Sequence, residues 1–293
     1  MWNTPASGSV TLRSDGEETF VKIGLVVVIV IGVATAVLVA SSQSAGPALA
    51  PVPAGAESIE PVAGDSTAPV VVELFTSQGC SSCPPADKLL AEVTSDPKYA
   101  GRVIGLSFHV DYWNRIGWED PFSSPAWTER QHAYARVLSL GNVYTPQAVV
   151  NGEHQFVGSD AGELKRAIAS AAAPLADVKL SAVRDGTRVR VSVNAELVKV
   201  ADAAEYFVYV ALTEREITTK VLRGENSGRT LVNDHVVRRL EKPIRMLGKR
   251  GSAAEGSVTF DLDPSWKSDK LEVVAFVQDQ MSMKIVGAAV TRP

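Results

Sequence analysis

Cysteine is scarce: the 293 residues hold two, Cys80 and Cys83. Two thiols cannot build a Cys-rich zinc site, and a multi-bridge disulfide scaffold is excluded with it. Histidine is also sparse. His109, His132, His154 and His235 are scattered and form no HxH or HExxH pattern. Positive charge is in deficit, with 29 Lys and Arg against 33 Asp and Glu and a net charge of -4. No basic domain is present, so a nucleic-acid partner is not expected. No phosphate loop or other cofactor fingerprint appears, and no cofactor is expected. No metal ligands are assigned among the expected site residues.

What is present begins with an apolar run, Ile23 to Ala40, followed by Ser41–Ala50, which ends in Ala48-Leu49-Ala50. An uncharged run before an A-x-A sequence reads as an export signal. Its length also approaches that of a bilayer span. Residues 1–50 are therefore expected to be a signal peptide or a membrane anchor. That places the rest in the periplasm or outside the cell, either released or tethered to the cytoplasmic membrane through this segment alone. Residues 51–67, rich in Pro, Ala and Gly, read as a disordered linker.

From Ala68 the pattern becomes that of a folded chain. VVVELF (70–75) reads as a strand, Pro84 to Val93 as a helix and VIGLSFHV (103–110) as a second strand. An aromatic loop follows, with Tyr112, Trp113, Trp118 and Phe122. Ser124-Pro125 opens a helix to about Leu140. Residues 148–151 and 155–157 flank the hairpin turn Asn151-Gly152. Gly162 to about Ala173 forms a last helix. The order β-α-β-α-β-β-α predicts a small mixed sheet with helices on its faces. Beyond Asp177 helical signals nearly vanish. About seven strands predict an all-β, sandwich-like domain over 176–293.

The pair Cys80-Ser81-Ser82-Cys83 sits between a strand and a helix. In a βαβ unit that spacing is a redox signature, since one thiol can attack a substrate disulfide while the other resolves the product. Two other readings stand beside it. The pair can be an inert staple, worth about 2 kcal/mol for so short a ring. It can also join His109 as a soft-metal site suited to copper(I), as in a metallochaperone.

The runs VVELFTSQGCSSCPPAD (71–87), FHVDYWNRIGWEDPFSSPAWTERQHAY (108–134), VYTPQAVVNG (143–152) and GENSGRTLVNDHVVR (224–238) resemble an exported bacterial thioredoxin-like family of unknown function. The resemblance covers about residues 68–293. It implies a thioredoxin-like α/β domain over 68–175, followed by the β-rich domain, and it carries no settled activity. It points to Thr145-Pro146 as a cis-proline segment that offers its backbone to substrate, and to Glu73 as a buried carboxylate that relays protons to the inner thiol. The leading expectation is thus an exported thiol–disulfide oxidoreductase with Cys80, Cys83 and Glu73 catalytic and exported protein thiols or disulfides as partners. The alternatives are copper binding through Cys80, Cys83 and His109, or a non-catalytic binding module with a structural disulfide.

Overall fold

The computed structural model describes residues 68–199, 205–241 and 244–293. The expected signal peptide or anchor and the linker lie outside the described residues. Fourteen strands and three α-helices are present among them. They are β1 (Val70–Thr76), α1 (Pro84–Ser95), β2 (Val103–His109), α2 (Pro125–Val137), β3 (Gln147–Val150), β4 (His154–Val157) and α3 (Ala161–Ala169). Next come β5 (Ala176–Asp185), β6 (Arg188–Leu197), β7 (Glu205–Glu214), β8 (Ile217–Lys220) and β9 (Thr230–Asn233). The last are β10 (Val236–Leu240), β11 (Ile244–Leu247), β12 (Ala253–Asp261), β13 (Leu271–Asp279) and β14 (Ile285–Thr291). No helix among the described residues is long and apolar enough to cross a membrane.

The helices start where the side chains dictate. Pro84 and Pro85 occupy the first turn of α1, where the missing N–H costs nothing. Ser124 Oγ accepts from Ala126 N–H and caps α2. Asp160 accepts from the N–H groups of Gly162 and Glu163 and caps α3. Strands β1 and β2 are buried along their whole length, as strands packed on both faces must be.

The expectation of a thioredoxin-like α/β domain followed by a separate all-β sandwich does not hold. One nine-stranded mixed sheet runs through both halves in the order β14-β13-β7-β10-β2-β1-β3-β4, with β11 also paired to β7. The join is β10 lying parallel to β2, with Val236 opposite Ser107 and Ser107 N–H donating to the His235 carbonyl at 2.8 Å. The outer edge of β2 is thus filled by a strand about 130 residues away in sequence. A pairing that remote leaves no local signal. The C-terminal half holds ten strands rather than about seven, because the short β8, β9, β10 and β11 escape pattern reading.

His235 locks the join. Its ring lies over Gly105 of β2, where an added Cβ would come within 2.9 Å of it. The ring is itself held between Thr94 Oγ1 (2.7 Å) and Glu272 (3.3 Å). The sequence suggests a solvated strand face for His235, Arg238 and Arg239. In fact His235 is buried and Arg238 half-buried.

One face of the large sheet packs on α2, in a core where Val71, Phe75 and Phe108 meet Ala211, Val274 and Phe276. The opposite face is covered by α1 and α3 at one end. At the other end it is covered by a three-stranded sheet, β12-β6-β5. Alternation along β1 sends Val70, Val72 and Leu74 toward α1, and Val71, Glu73 and Phe75 toward α2.

Glu73 is fully buried on that α2 face. Its Oε1 accepts from Arg130 Nε at 2.6 Å, and its Oε2 accepts a short hydrogen bond from Tyr134 Oη. Arg130 also donates to Gln278 Oε1 of β13 at 3.2 Å, and Gln278 Nε2 donates to Tyr134 Oη at 2.9 Å. The guanidinium is ringed by Phe108, Tyr134, Tyr209 and Phe276, each with its centroid 5.4–5.6 Å away. Burial alone would weaken its hold on the proton. The Glu73 carboxylate outweighs that and raises it.

Breaking such a pair strands a charge. Glu73→Leu or Arg130→Met alone is expected to cost about 3–5 kcal/mol in urea unfolding, and the double variant clearly less than either. Additive losses across the cycle would show that the two groups do not act as a pair.

Candidate functional site

The C-terminal ends of β1 and β2 open onto the Cys80 loop and the aromatic loop. Cys80 and Cys83 form a disulfide with a Cα–Cα distance of 5.4 Å. The intervening peptide turns back on itself through Cys83 N–H to Cys80 O at 3.3 Å. Cys83 is the residue before α1, and Cys80 stands one turn outside it.

A catalytic pair needs one exposed, attacking thiol, and the geometry here is different. Both half-cystines are 0 % exposed, and only Ser81 and Ser82 between them reach solvent. The segment between β8 and β9 is bound to the backbone of this loop. Asn226, itself fully buried, donates from Nδ2 to the carbonyls of Gln78 and Cys80, both at 2.9 Å. Arg229 holds the Asn226 amide oxygen at 2.8 Å, and Glu225 accepts from Ser81 N–H at 3.0 Å. A further clamp runs from Gln78 Nε2 to Asn233 Oδ1 at 2.7 Å.

Thr145 and Pro146 come to the same place. Their peptide bond is cis, and the Thr145 carbonyl oxygen lies 3.9 Å from Cys80 Sγ. The Thr145 hydroxyl accepts from Trp113 Nε1 at 2.7 Å. Glu73 does not join this group. Strand alternation turns it to the α2 face, away from the helix that follows Cys83, and its hydrogen bonds go to Arg130 and Tyr134.

The buried carboxylate near the bridge is Asp87. It follows Cys83 by one helical turn, on the same face of α1, where i and i+4 side chains are neighbours. Burial pushes its carboxyl up to about 6, against the opposing pull of His109. A charged residue at i+4 from Cys83 and i−3 from Leu90 was the available clue, since that stripe of α1 faces the core. Asp120, Gln78, Asn226 and Asn233 carried no such clue, because their meeting depends on loops distant in sequence.

His109, at the end of β2, lies on the α1 face with Asp87. Its Nδ1 is 2.7 Å from Asp120 Oδ2, which also accepts from Gln78 N–H at 2.7 Å. Phe122 meets the imidazole edge-on at 5.3 Å. Burial alone would lower the imidazole's hold on its proton. The Asp120 carboxylate, with Asp87 beyond it, outweighs burial and raises it. Burial works to raise Asp120 in turn, but His109 and its hydrogen bonds keep it below the usual carboxylate range. His109 Nε2, Asp87 Oδ1, Thr76 Oγ1 and Asn233 Nδ2 are buried without a hydrogen-bond partner.

For a metal, the candidate donors are Cys80, Cys83 and His109. The two sulfurs are spent on each other in the disulfide, and one imidazole nitrogen is committed to Asp120. Among the described residues no group of three His, Cys, Asp or Glu side chains converges on a common point. The donors present do not fit a metal in this oxidation state. What the arrangement can do is hold a proton between Asp120 and His109, with the Asp87 carboxyl acting on the imidazole through its charge rather than through a hydrogen bond.

That cluster has a pH signature. Asp87 is raised in the fold from an unfolded value of about 3.9, so its ionisation opposes folding. The cost is absent below about pH 4, grows up to about pH 6 and is constant above. Asp87→Asn removes it. The variant's stability relative to the wild type is expected to rise by roughly 2–3 kcal/mol between pH 4 and 7, read from urea unfolding across that range. A difference that stays flat with pH contradicts the assignment.

The family model described as "Protein of unknown function (DUF1223)" matches residues 71–278. A crystal structure of an Agrobacterium tumefaciens protein is similar at 31% sequence identity and a TM-score of 0.54, covering 76% of this chain and 94% of that one. HBP35 of Porphyromonas gingivalis is similar in fold, with 16% identity and a TM-score of 0.58 over 78% of this chain and 76% of its own. No curated protein matches. The likenesses support a family without an assigned activity and do not support a thioredoxin-like one. With most of its length matched by that model, the chain belongs to the DUF1223 family of proteins of unknown function.

Proposed function

We propose that this protein is a non-catalytic, β-rich binding module of an oxidising extracytoplasmic space, and that Cys80–Cys83 is a structural bridge. The observation that carries this reading is the cover over the bridge. Both sulfurs are shut away from solvent, and Asn226 is bonded to the backbone on each side of Cys80. Thiol exchange needs a thiolate to approach along the S–S axis, so a sulfur without exposed surface does not react at a useful rate. A bridge of this ring size adds only about 2 kcal/mol through chain entropy. Its larger service is to fix the loop to which Gln78, Asn226, Glu225 and Asn233 attach. Disulfides persist in the periplasm or outside the cell, which agrees with the export signal read from residues 1–50.

Thiol–disulfide exchange is the second reading, and Asp87 is the observation that favours it. A carboxyl raised to about 6 one turn below Cys83 is poised to protonate a leaving thiolate. On this reading the β8–β9 segment must move aside for an exported protein partner to reach Cys80.

One experiment separates the two. Native protein is treated with dithiothreitol at neutral pH, and free thiols are counted over time. For a structural bridge, wild-type reduction is expected to be no faster than global unfolding, and Asn226→Ala to accelerate it at least about tenfold by losing two buried hydrogen bonds. Rapid reduction of folded wild type, with catalytic turnover of insulin disulfides, would move the assignment to exchange.

A further inference from the structure

Between the start of α2 and strand β10 lies an open cavity of about 370 Å³. Its size falls within the range of small-molecule sites. The walls are Phe122 and Trp127 on one side and Trp266 on the other, with Arg238 and Arg239 between them. Ser123 and Ser124 lie at its edge. The cavity holds no residue of the cysteine loop, and it meets the His109 cluster only through Phe122, whose ring also lies edge-on to the imidazole, and through the charge of Arg238.

The two arginines are held in place by rings. Arg238 lies 5.0 Å from the Phe122 centroid and 4.9 Å from that of Trp266. Arg239 stacks on Trp266 as well, at 4.9 Å. Stacking fixes the guanidinium planes while leaving their N–H edges free to donate, which is how arginine is set up for oxyanions.

Their charge is incompletely matched. Arg238 has one carboxylate at bridging distance, Glu214 at 3.3 Å, and Glu214 also accepts from Lys267 N–H. Asp263 also lines the cavity and acts on both arginines through its charge, but it forms no ion pair with either, and its Oδ1 accepts from the N–H and hydroxyl of Ser265. Arg239 makes no ion pair among the described residues; its side chain donates to the Arg238 carbonyl. Burial lowers Arg238, where Arg130 and Arg215 are raised by their carboxylates. The Ser124 hydroxyl accepts from Ala126 N–H and keeps an O–H able to donate. Two cations, a hydroxyl donor and three aromatic walls therefore meet at one opening.

We propose that this cavity binds a small oxyanion carried on a planar or apolar body, a phosphate monoester or a carboxylate, with the anion on Arg238 and Arg239 and the body against Trp266 and Phe122. The proposal rests on the binding-module reading and gives that module its ligand site. It is tested by calorimetric and tryptophan-fluorescence titration of the oxidised protein with phenyl phosphate, benzoate and inorganic phosphate. Saturable binding of an aryl probe, tighter than inorganic phosphate, is expected. Preference for phenyl phosphate assigns an ester, and preference for benzoate assigns a carboxylate.

Arg239→Gln is the decisive variant, because Arg239 is exposed and free of ion pairs, so the fold does not depend on it. It should weaken binding roughly tenfold. Arg238→Gln should weaken it at least as much. No saturable binding to the wild type, or equal affinity in Arg239→Gln, overturns the site. Either result leaves the covered bridge as it stands, since the dithiothreitol rate measures that separately.

Discussion

Arg130 stands where three parts of the chain meet, and its charge must be answered there. The guanidinium sits in a ring of four aromatic side chains, with Glu73 of β1 on one side and Gln278 of β13 on the other. Such a cation is tolerable only if every donor edge finds an acceptor. The need for Glu73 fixes α2 against the first strands. The need for Gln278 fixes the same helix against β13, some 200 residues later than β1. Apolar packing already resists a slip in register, and this buried pair adds a directional demand that apolar contacts do not make. It gives the nine-stranded sheet one relative placement of its two ends. The same constraint explains why the two halves share a core instead of forming separate domains.

Once the sheet is continuous, the loops at the ends of β1 and β2 are no longer at the margin of a small domain. The β8–β9 segment, carried on strands next to the join, falls across the Cys80 loop and closes it. In a free-standing α/β domain the first cysteine would face solvent. Here its carbonyl is bonded by Asn226 and its sulfur is enclosed. The Asp120, His109 and Asp87 cluster is buried as well. Its buried, unpartnered polar atoms are the cost of placing titratable groups beneath a closed loop, and they are what keeps exchange chemistry in view as the second reading.

Local structure was legible because it is decided locally. The β-branched run 70–76, the proline pair opening α1, the Ser124-Pro125 cap and the Asn-Gly turn each specify their own geometry within a few residues. The contacts that decide function are not of that kind. Glu73 in an apolar strand looks like a proton relay by sequence. The two-residue alternation of β1 turns it to the α2 face, and its partner is Arg130. The motif around Asn226 reads as a polar loop, since nothing near it in sequence says that it will seal a bridge 146 residues away. Strand β10 is five residues long, and its pairing with β2 follows from His235 seating over Gly105. A glycine in the middle of a buried strand was the one visible trace of that approach.

The covered state of Cys80–Cys83 is the claim on which the functional reading turns, and the reduction potential of the pair tests it most directly. A bridge held oxidised by the fold, with Asn226, Glu225 and Asn233 bound to its loop, is expected below about -300 mV in glutathione or dithiothreitol redox buffers. A value above about -230 mV would place the pair among exchangeable, catalytic disulfides and contradict the account.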